Sequence, residues 1–118
     1  MNEYTTYDSE QPVHFTGELL ASITTDDGLK DRWTEIEIYR TRAGSYIIHK
    51  NGNSRLPDDR VLHSSQVSET PEGCIESLRS YDDDGVMYMR ATDKCVLLDA
   101  MDVDPDLAAA WKSGINVA

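Results

Sequence analysis

The feature that most constrains the fold is the alternation of apolar and polar residues from Val13 to Thr24. Side chains of an extended strand point alternately to its two faces, so a repeat of two predicts a strand with one buried face. A turn ending at Gly28 follows, and the segment from Arg32 to Thr41 is rich in Trp, Ile, Thr and Tyr, which favour strands. The first half of the chain is therefore predicted to form an antiparallel sheet.

The turn after this second strand bears on how the strands pair. A three-residue loop ending at Gly44 pairs Ile38 with Ile48 and Tyr39 with Ile47, with the glycine in the left-handed conformation. A two-residue loop would shift every partner by one position, and the sequence leaves both loops open.

Two further strands are predicted beyond this turn. The third runs from Ser45 to about Asn51, and a weaker fourth runs from Arg60 to Val67. Together with the first two they form an antiparallel meander, a type of sheet that commonly has one face in contact with water.

The second half of the chain carries helix signals. Thr70 precedes a proline and begins a helix that continues to the acidic turn at residues 82–85. A second helix is predicted from Thr92 to Met101. A third helix is capped by Asp104 and ends at Gly114.

These patterns predict an α+β fold, in which a four-stranded antiparallel β-meander is followed by two to three short helices packed on one face. Residues 1–12 are polar and show no period, so they are predicted to be a flexible acidic tail. Residues 13–118 then form a single domain, with the sheet in 13–68 and the helices in 70–114.

The charge of the chain is unevenly distributed. The net charge is −11, and residues 1–29 carry six acidic side chains and no Lys or Arg. Residues 30–60 carry seven basic and five acidic side chains, and residues 61–118 carry four basic and eleven acidic ones. Binding to phosphate backbones requires several uncompensated cations, so direct binding to nucleic acid is not expected.

Two clusters of charged residues are the candidate binding sites. The acidic cluster lies on the outer face of the first predicted helix and in the turn after it: Glu69, Glu72, Glu76, Asp82, Asp83 and Asp84. The second cluster is mildly basic and surrounds the predicted hairpin: Arg40, Arg42, Lys50, Arg55 and Arg60. A field of carboxylates can occupy a basic groove on a partner, whereas the basic cluster could pair with the acidic helices of a second copy.

The metal-ligating residue types show no recognisable ligand pattern. If Gly85 takes the sixth position of a calcium loop, Ser80 falls at the first position and Ala91 at the twelfth, where carboxylates are needed. The three histidines lie on different predicted strands and lack short-range ligand spacing, although neighbouring strands can bring side chains together. The three histidines are His14, His49 and His63. No metal site and no cofactor is predicted.

No catalytic residue is predicted either. Glu35 and Glu37 share one face of a strand, but acid–base catalysis requires carboxylates placed across a cleft that separates their pKa values. Glu37 could instead pair with His49 or Lys50 across the hairpin. The chain has no glycine-rich phosphate loop and no nucleophile elbow, so a binding protein is favoured over an enzyme.

Nothing in the sequence predicts secretion or a membrane span. No apolar run approaches the roughly 18 residues that a span needs. Residues 1–12 lack the basic start and apolar stretch of a secretion signal. Cys74 and Cys95 fall in predicted helices and are expected to be buried free thiols, with one disulfide as the alternative. We expect a cytoplasmic protein that is a monomer or a homodimer.

Several short runs resemble one family of small proteins. They lie at residues 15–20, 32–35, 38–46 and 102–108. They are similar to small actinobacterial proteins of the EXLDI type, which are often carried on mobile elements. Where that family has an acid followed by Leu-Asp-Ile, this chain has Val-Leu-Leu-Asp-Ala at residues 96–100. The resemblance implies a mobile-element or phage origin and no catalytic residues.

The leading hypothesis for function is a small acidic, non-enzymatic protein that binds or interferes with a protein complex that handles nucleic acid, in the manner of an anti-CRISPR inhibitor. Its partner is expected to be a protein with a basic, nucleic-acid-binding surface. The alternative is an antitoxin-like or regulatory module that recognises its partner by strand addition at a sheet edge. A small enzyme is the third and weakest hypothesis.

Overall fold

The fold, seen in a computed structural model that describes residues 1–57 and 61–114, is α+β. The sheet strands are β1 (Asn2–Asp8), β2 (Gln11–Thr24), β3 (Arg32–Thr41), β4 (Tyr46–Ser54) and β5 (Leu62–Ser68). They are followed by α1 (Pro71–Ser77), β6 (Ser80–Tyr81), β7 (Met87–Tyr88), α2 (Ala91–Val103) and α3 (Pro105–Ser113). No helix in the described ranges is long and apolar enough to cross a membrane.

The main sheet has five antiparallel strands in sequence order, one more than predicted. The additional strand is β1, which lies in the segment predicted to be a flexible tail, so that prediction is wrong. Hairpins are usually recognised by a glycine in the turn, but the turn between β1 and β2 is formed by Ser9 and Glu10. Ser9 adopts the left-handed conformation itself, with a φ of 55°.

The sheet curls until its two outer strands meet. The backbone N–H of Ser9 donates to the carbonyl oxygen of His63 at 2.8 Å. The hydroxyl of Ser65 donates to the carbonyl oxygen of Tyr7 at 2.8 Å and lies 2.9 Å from the hydroxyl of Thr6. Strands β1 and β5 are therefore linked at one end of the sheet, and this end is closed.

The long strand β2 makes this curl possible. Its first half pairs with β1 and its second half pairs with β3, and the two halves join at Gly17. A Cβ atom at Gly17 would overlap the backbone carbonyl of Arg40, so only glycine permits the close approach. The register also shifts between Leu19 and Ala21, which is typical of a β-bulge that bends a strand.

The hairpin between β3 and β4 has the register that the three-residue loop predicts. Ile38 pairs with Ile48 and Tyr39 pairs with Ile47, so the prediction is confirmed. Gly44 has a φ of 91°, which an L side chain rarely adopts.

The core lies between one face of the sheet and the three helices. The inward side chains of β3 and β4 alternate with residues of the opposite face, as their period of two requires. Helices α1, α2 and α3 contribute apolar side chains that are almost fully buried. The largest members of this core are Ile36, Ile38, Tyr46, Ile48, Ile75, Leu78, Val96, Leu97 and Leu107. Helices packed on one face are therefore confirmed.

The other face of the sheet is partly buried instead of exposed to water, because the sheet curls around it. The rings of Tyr4 and Phe15 lie 5.6 Å apart, and both contact the buried ring of Tyr39, at 4.8 and 5.1 Å. Ile47 and His49 are also buried here. The prediction that this face contacts water is therefore wrong, because β1 covers much of the face.

The last two helices begin and end within two residues of the predicted positions. The Asp104 carboxylate accepts hydrogen bonds from the backbone N–H groups of Asp106 and Leu107, at 3.0 and 3.2 Å, and caps α3. Gly114 follows α3 with a φ of 68°. Helix α2 ends at Val103, one turn beyond its core residue Ala100.

The two cysteines differ in environment. Cys74 is buried in the core, as expected, whereas Cys95 is exposed on α2, so half of that expectation is wrong. Both are free thiols, and no disulfide joins them.

Candidate functional site

The acidic run at residues 82–84 forms the turn of a small hairpin rather than the end of a helix. Helix α1 ends at Ser77, earlier than predicted, because the chain then pairs Tyr81 with Met87 as β6 and β7. The Asp82 carboxylate accepts hydrogen bonds from the N–H groups of Asp84 and Val86, at 2.9 and 2.8 Å. These bonds close the turn, so Asp82 has a local structural role.

The predicted acidic residues all have exposed side chains. Glu69 precedes the cap of α1, where the Thr70 hydroxyl accepts from the N–H of Gly73, and Glu72 lies in the first turn of the helix. The remaining acids lie at the end of α1 and in the turn of the hairpin. The whole set is Glu69, Glu72, Glu76, Asp82, Asp83 and Asp84.

Glu76 connects the helix to the hairpin. Its carboxylate accepts a hydrogen bond from the Tyr81 hydroxyl and another from Arg79 Nη1, at 2.8 Å. These two bonds, the one from Tyr81 first, hold the pKa of Glu76 below its ordinary value. The charge of Glu76 is offset by Arg79.

Exposed apolar side chains lie in the same hairpin as the acidic turn at residues 82–84, and sequence reasoning missed them. Val86 is 60% exposed and Tyr81 is 53% exposed, and the β7 residues Met87 and Tyr88 are exposed as well. We call the set of Tyr81, Asp83, Asp84, Val86, Met87 and Tyr88 the hairpin surface. The one signal in the sequence was the short apolar run at residues 86–89, which fits neither a helix nor a long strand.

A shallow groove lies between the hairpin and the last helices. It has a volume of about 480 Å³ and is lined by three apolar side chains of residues 87–89 and by Trp111 of α3. Arg79 and Lys94 also line it. Apolar patches with a polar border and a high content of Tyr, Met and Trp are typical of protein–protein contacts.

Arg40 of the predicted basic cluster is bound within the chain. Its Nη1 lies 3.3 Å from the Asp104 carboxylate and its Nη2 lies 2.7 Å from Asp106. The guanidinium also lies over the ring of Tyr46, 5.1 Å from its centroid. This cation therefore joins β3 to α3.

The other basic residues are dispersed. Lys50 Nζ lies 3.1 Å from the carboxylate of the buried Asp93 on α2. Arg55 pairs with Asp26 and lies over the ring of Trp33, 4.5 Å from its centroid. Arg42 is exposed in the hairpin loop, and Arg60 lies outside the described residues. Arg40 and Lys50, which were expected to pair with acidic helices of a second copy, thus pair with acidic residues of their own chain.

A chain of polar side chains crosses the curled face of the sheet. The hydroxyl of Tyr39 donates to Glu37 at 2.9 Å, and Glu37 Oε1 lies 2.8 Å from His49 Nδ1. His49 Nε2 lies 3.2 Å from His63 Nδ1, which also contacts Asn51 Oδ1. The bond from His49 is the main cause that holds the pKa of Glu37 below its ordinary value. The predicted pairing of Glu37 with His49 is confirmed.

The remaining candidate histidine, His14, and the remaining candidate acid, Glu35, are not part of this row of hydrogen-bonded side chains. His14 contacts the Thr5 hydroxyl through Nδ1, at 2.9 Å, on the exposed side of β1 and β2. Glu35 accepts a hydrogen bond from Trp33 Nε1 at 3.2 Å. Within the described ranges, no three His, Cys, Asp or Glu side chains converge as a metal-binding group.

Comparison with protein-family models, with curated proteins and with solved structures finds no match to this chain. The resemblance to proteins of the EXLDI type therefore stays a prediction from the sequence. The function has to be inferred from the geometry and charge of the residues themselves.

Proposed function

We propose that this chain is a non-enzymatic binding protein that engages a basic protein partner through the hairpin surface. The observation that supports this proposal is the combination of exposed aromatic and aliphatic side chains with carboxylates in one small hairpin. Aromatic residues and Met in a polar border are the usual anchors of protein contacts. Asp83 and Asp84 supply the charge that would orient a partner.

The distribution of ion pairs indicates the charge of the partner. Four cations of the described chain, Arg40, Lys50, Arg55 and Arg79, each bind a carboxylate of the same chain. Three of the seven cations of the basic middle of the sequence, Arg40, Lys50 and Arg55, are therefore paired with carboxylates of the same chain. Since the net charge is −11, the surface presented to a partner is acidic, and complementary charge favours a basic one.

Basic protein grooves commonly serve to bind the phosphates of nucleic acids. A protein that covers such a groove with carboxylates competes with the nucleic acid, so the proposed activity is interference with a nucleic-acid-handling complex. The resemblance to mobile-element proteins is consistent with such an anti-CRISPR-like role. Occupation of the groove requires no catalytic residue in this chain.

Capture of the partner with matched variants tests the proposal. The wild-type chain is immobilised and used to retain proteins from a bacterial lysate. Two double variants change the hairpin surface: Met87→Ser with Tyr88→Ser, and Asp83→Asn with Asp84→Asn. The matched control is Asp102→Asn with Val103→Ser, which alters an exposed acid and an exposed aliphatic residue at the end of α2.

For the retained partner, we expect each hairpin variant to weaken the affinity at least tenfold and the control to leave it unchanged. We also expect affinity to fall with rising salt, and labelled DNA or RNA to be displaced from the partner. Equal affinity of the hairpin variants and the wild type would refute the use of this surface. An affinity independent of salt would refute the charge-based competition.

Strand addition at a sheet edge is the second candidate function. It is favoured by β5, an outer strand whose Leu62 and Val67 are 69% and 57% exposed. The bond between Ser9 and His63 occupies part of this edge. Val67→Pro removes a backbone N–H on the side of β5 that the His63 carbonyl faces, which is its outer edge. It abolishes capture under this alternative and leaves it unchanged if the hairpin surface is used.

A further inference from the structure

Two imidazole nitrogens face each other on the curled face of the sheet. His49 Nε2 and His63 Nδ1 are 3.2 Å apart, the ring centroids are 5.4 Å apart, and the ring planes differ by 4°. The centroid distance exceeds the N···N distance by about the sum of the radii of the two rings, so the two nitrogens lie on the line between the centroids. The rings therefore lie almost in one plane, edge to edge, with the two nitrogens directed into the same gap.

The tautomer of His49 follows from its partner Glu37. A carboxylate accepts hydrogen bonds, so the bond to Glu37 Oε1 places the proton of a neutral His49 on Nδ1. Nε2 is then the bare nitrogen, and it faces His63. A histidine held in this way by a carboxylate, with its second nitrogen unprotonated, is the arrangement that commonly supports a metal ligand.

A third donor atom lies at the same gap. Asn51 Oδ1 contacts His63 Nδ1, so two imidazole nitrogens and one amide oxygen are adjacent. Two imidazole nitrogens bound to one tetrahedral Zn²⁺ at 2.0–2.1 Å are about 3.3 Å apart, close to the distance observed here. At present each nitrogen points straight at the other, whereas a tetrahedral metal would lie beside the line between them. Each ring therefore has to turn by about 35° to direct its nitrogen at the metal.

We propose that His49, His63 and Asn51 form a binding site for a divalent first-row transition metal, with Zn²⁺ as the test ion, and that Glu37 orients His49 from behind. This inference is independent of the hairpin surface and revises the expectation of no metal site. The group lacks a third His, Cys, Asp or Glu, so water completes the coordination.

Proton balance is simple for neutral histidines. Without metal, His63 Nδ1–H donates to His49 Nε2 and to Asn51 Oδ1. When the metal binds, the proton of His63 moves through solvent from Nδ1 to Nε2, and no net proton is released. The metal then links β4 to β5, next to the bond between Ser9 and His63 that closes the sheet. It is therefore expected to stabilise the curled sheet.

Calorimetric titration with Zn²⁺ tests this site in the full chain, produced without a polyhistidine tag. We expect one Zn²⁺ per chain, and a rise in the midpoint of thermal unfolding, since a ligand that binds only the folded state stabilises it. His63→Gln and His49→Gln each weaken Zn²⁺ affinity at least tenfold. Glu37→Gln, which leaves the three ligands in place, weakens it about 10-fold to 100-fold.

The exposed His14 provides the matched control, and His14→Gln leaves the affinity unchanged. His63 is only half-buried, so its variant serves as the test if the buried His49 variant does not fold. ¹⁵N NMR of the imidazoles locates the ion, with changes expected at His49 and His63. Absence of a one-to-one complex, or changes confined to His14, would overturn the proposal.

Discussion

Arg40 of β3 donates through Nη1 to both carboxylate oxygens of Asp104, at 3.3 Å each, across 64 residues of sequence. Asp104 is 2% exposed, and it lies between α2 and α3, where its carboxylate caps the second of these helices. The hydroxyl of Tyr46 donates to the same carboxylate at 3.3 Å. One side chain therefore joins the sheet to the helical layer.

Removal of this carboxylate is expected to be costly. Asp104→Ala deletes a helix cap and leaves Arg40 without its buried partner, so we expect a loss of about 3 kcal/mol in the free energy of unfolding. Asp104→Asn keeps a capping oxygen and is expected to lose less. Urea unfolding measures both. The exposed Asp102→Ala is the control, and an equal loss in the control would contradict the role of the buried carboxylate.

Tyr4 distinguishes a strand from a tail at the start of the chain. In β1 its ring contacts Phe15 and Tyr39, so Tyr4→Ala is expected to lower the free energy of unfolding by about 2 kcal/mol. The neighbouring Glu3 is exposed, and Glu3→Ala is expected to change stability by less than about 0.5 kcal/mol. Urea unfolding measures both variants. If residues 1–12 were a mobile tail, both variants would have the same free energy of unfolding as the wild type.

Gly17 is the position at which β2 changes its partner strand. A methyl group there overlaps the backbone of Arg40, which cannot move without breaking the pairing of β2 with β3. Gly17→Ala is expected to cost more than about 2 kcal/mol, as other over-packed sites do. In contrast, Gly28→Ala meets no atom and bears only the strain of its φ of 81°, which is about 1 kcal/mol. Equal losses in chemical denaturation would show that β2 is less constrained.

The two thiols are expected to differ in reactivity. Burial raises the pKa of Cys74 to about 12, whereas Cys95 is exposed. Only the thiolate reacts with a disulfide reagent. At pH 8 we therefore expect one thiol per chain to react rapidly in the native state and two in denaturant. Peptide mapping identifies the native product as Cys95, and rapid labelling of Cys74 would contradict its place in the core.

The same pKa shift predicts a loss of stability in alkali. The Cys74 thiol of the unfolded chain ionises near pH 9, and that of the folded chain near pH 12. Its contribution to stability is fully present below pH 9 and is lost as the pH rises from 9 to 12. Urea midpoints measured at pH 8, 9 and 10 test this, with Cys74→Ala expected to show a weaker decline than the wild type.

The parts of the fold with a strong local pattern could be predicted from the sequence. The register of Ile38 with Ile48 follows from the position of Gly44, and the last helix follows from the cap at Asp104 and the stop at Gly114. β1 could not be predicted because its signal is not local. Its side chains are mostly polar, its turn at Ser9 lacks glycine, and its stability depends on contacts with distant strands.

The candidate sites were predicted only in part, because some of their contacts also have no local signal in the sequence. The acidic residues are exposed because carboxylates are rarely buried without partners, so their placement followed from composition. The hairpin that exposes Tyr88 consists of two-residue strands, which are too short for any period to show. The approach of His49 to His63 depends on the register of β4 with β5, which no turn in the described sequence specifies.

The link between Thr6 and Ser65 spans 59 residues, so the two outer strands are made at very different times during synthesis. A hairpin of β1 and β2 can form as soon as it leaves the ribosome, but its outer edge finds a partner only after β5 has emerged. Long-range closures of this kind are slow compared with the formation of local turns. The edge of β1 that contacts Ser65 in the folded chain is therefore expected to stay without that partner until β5 has emerged.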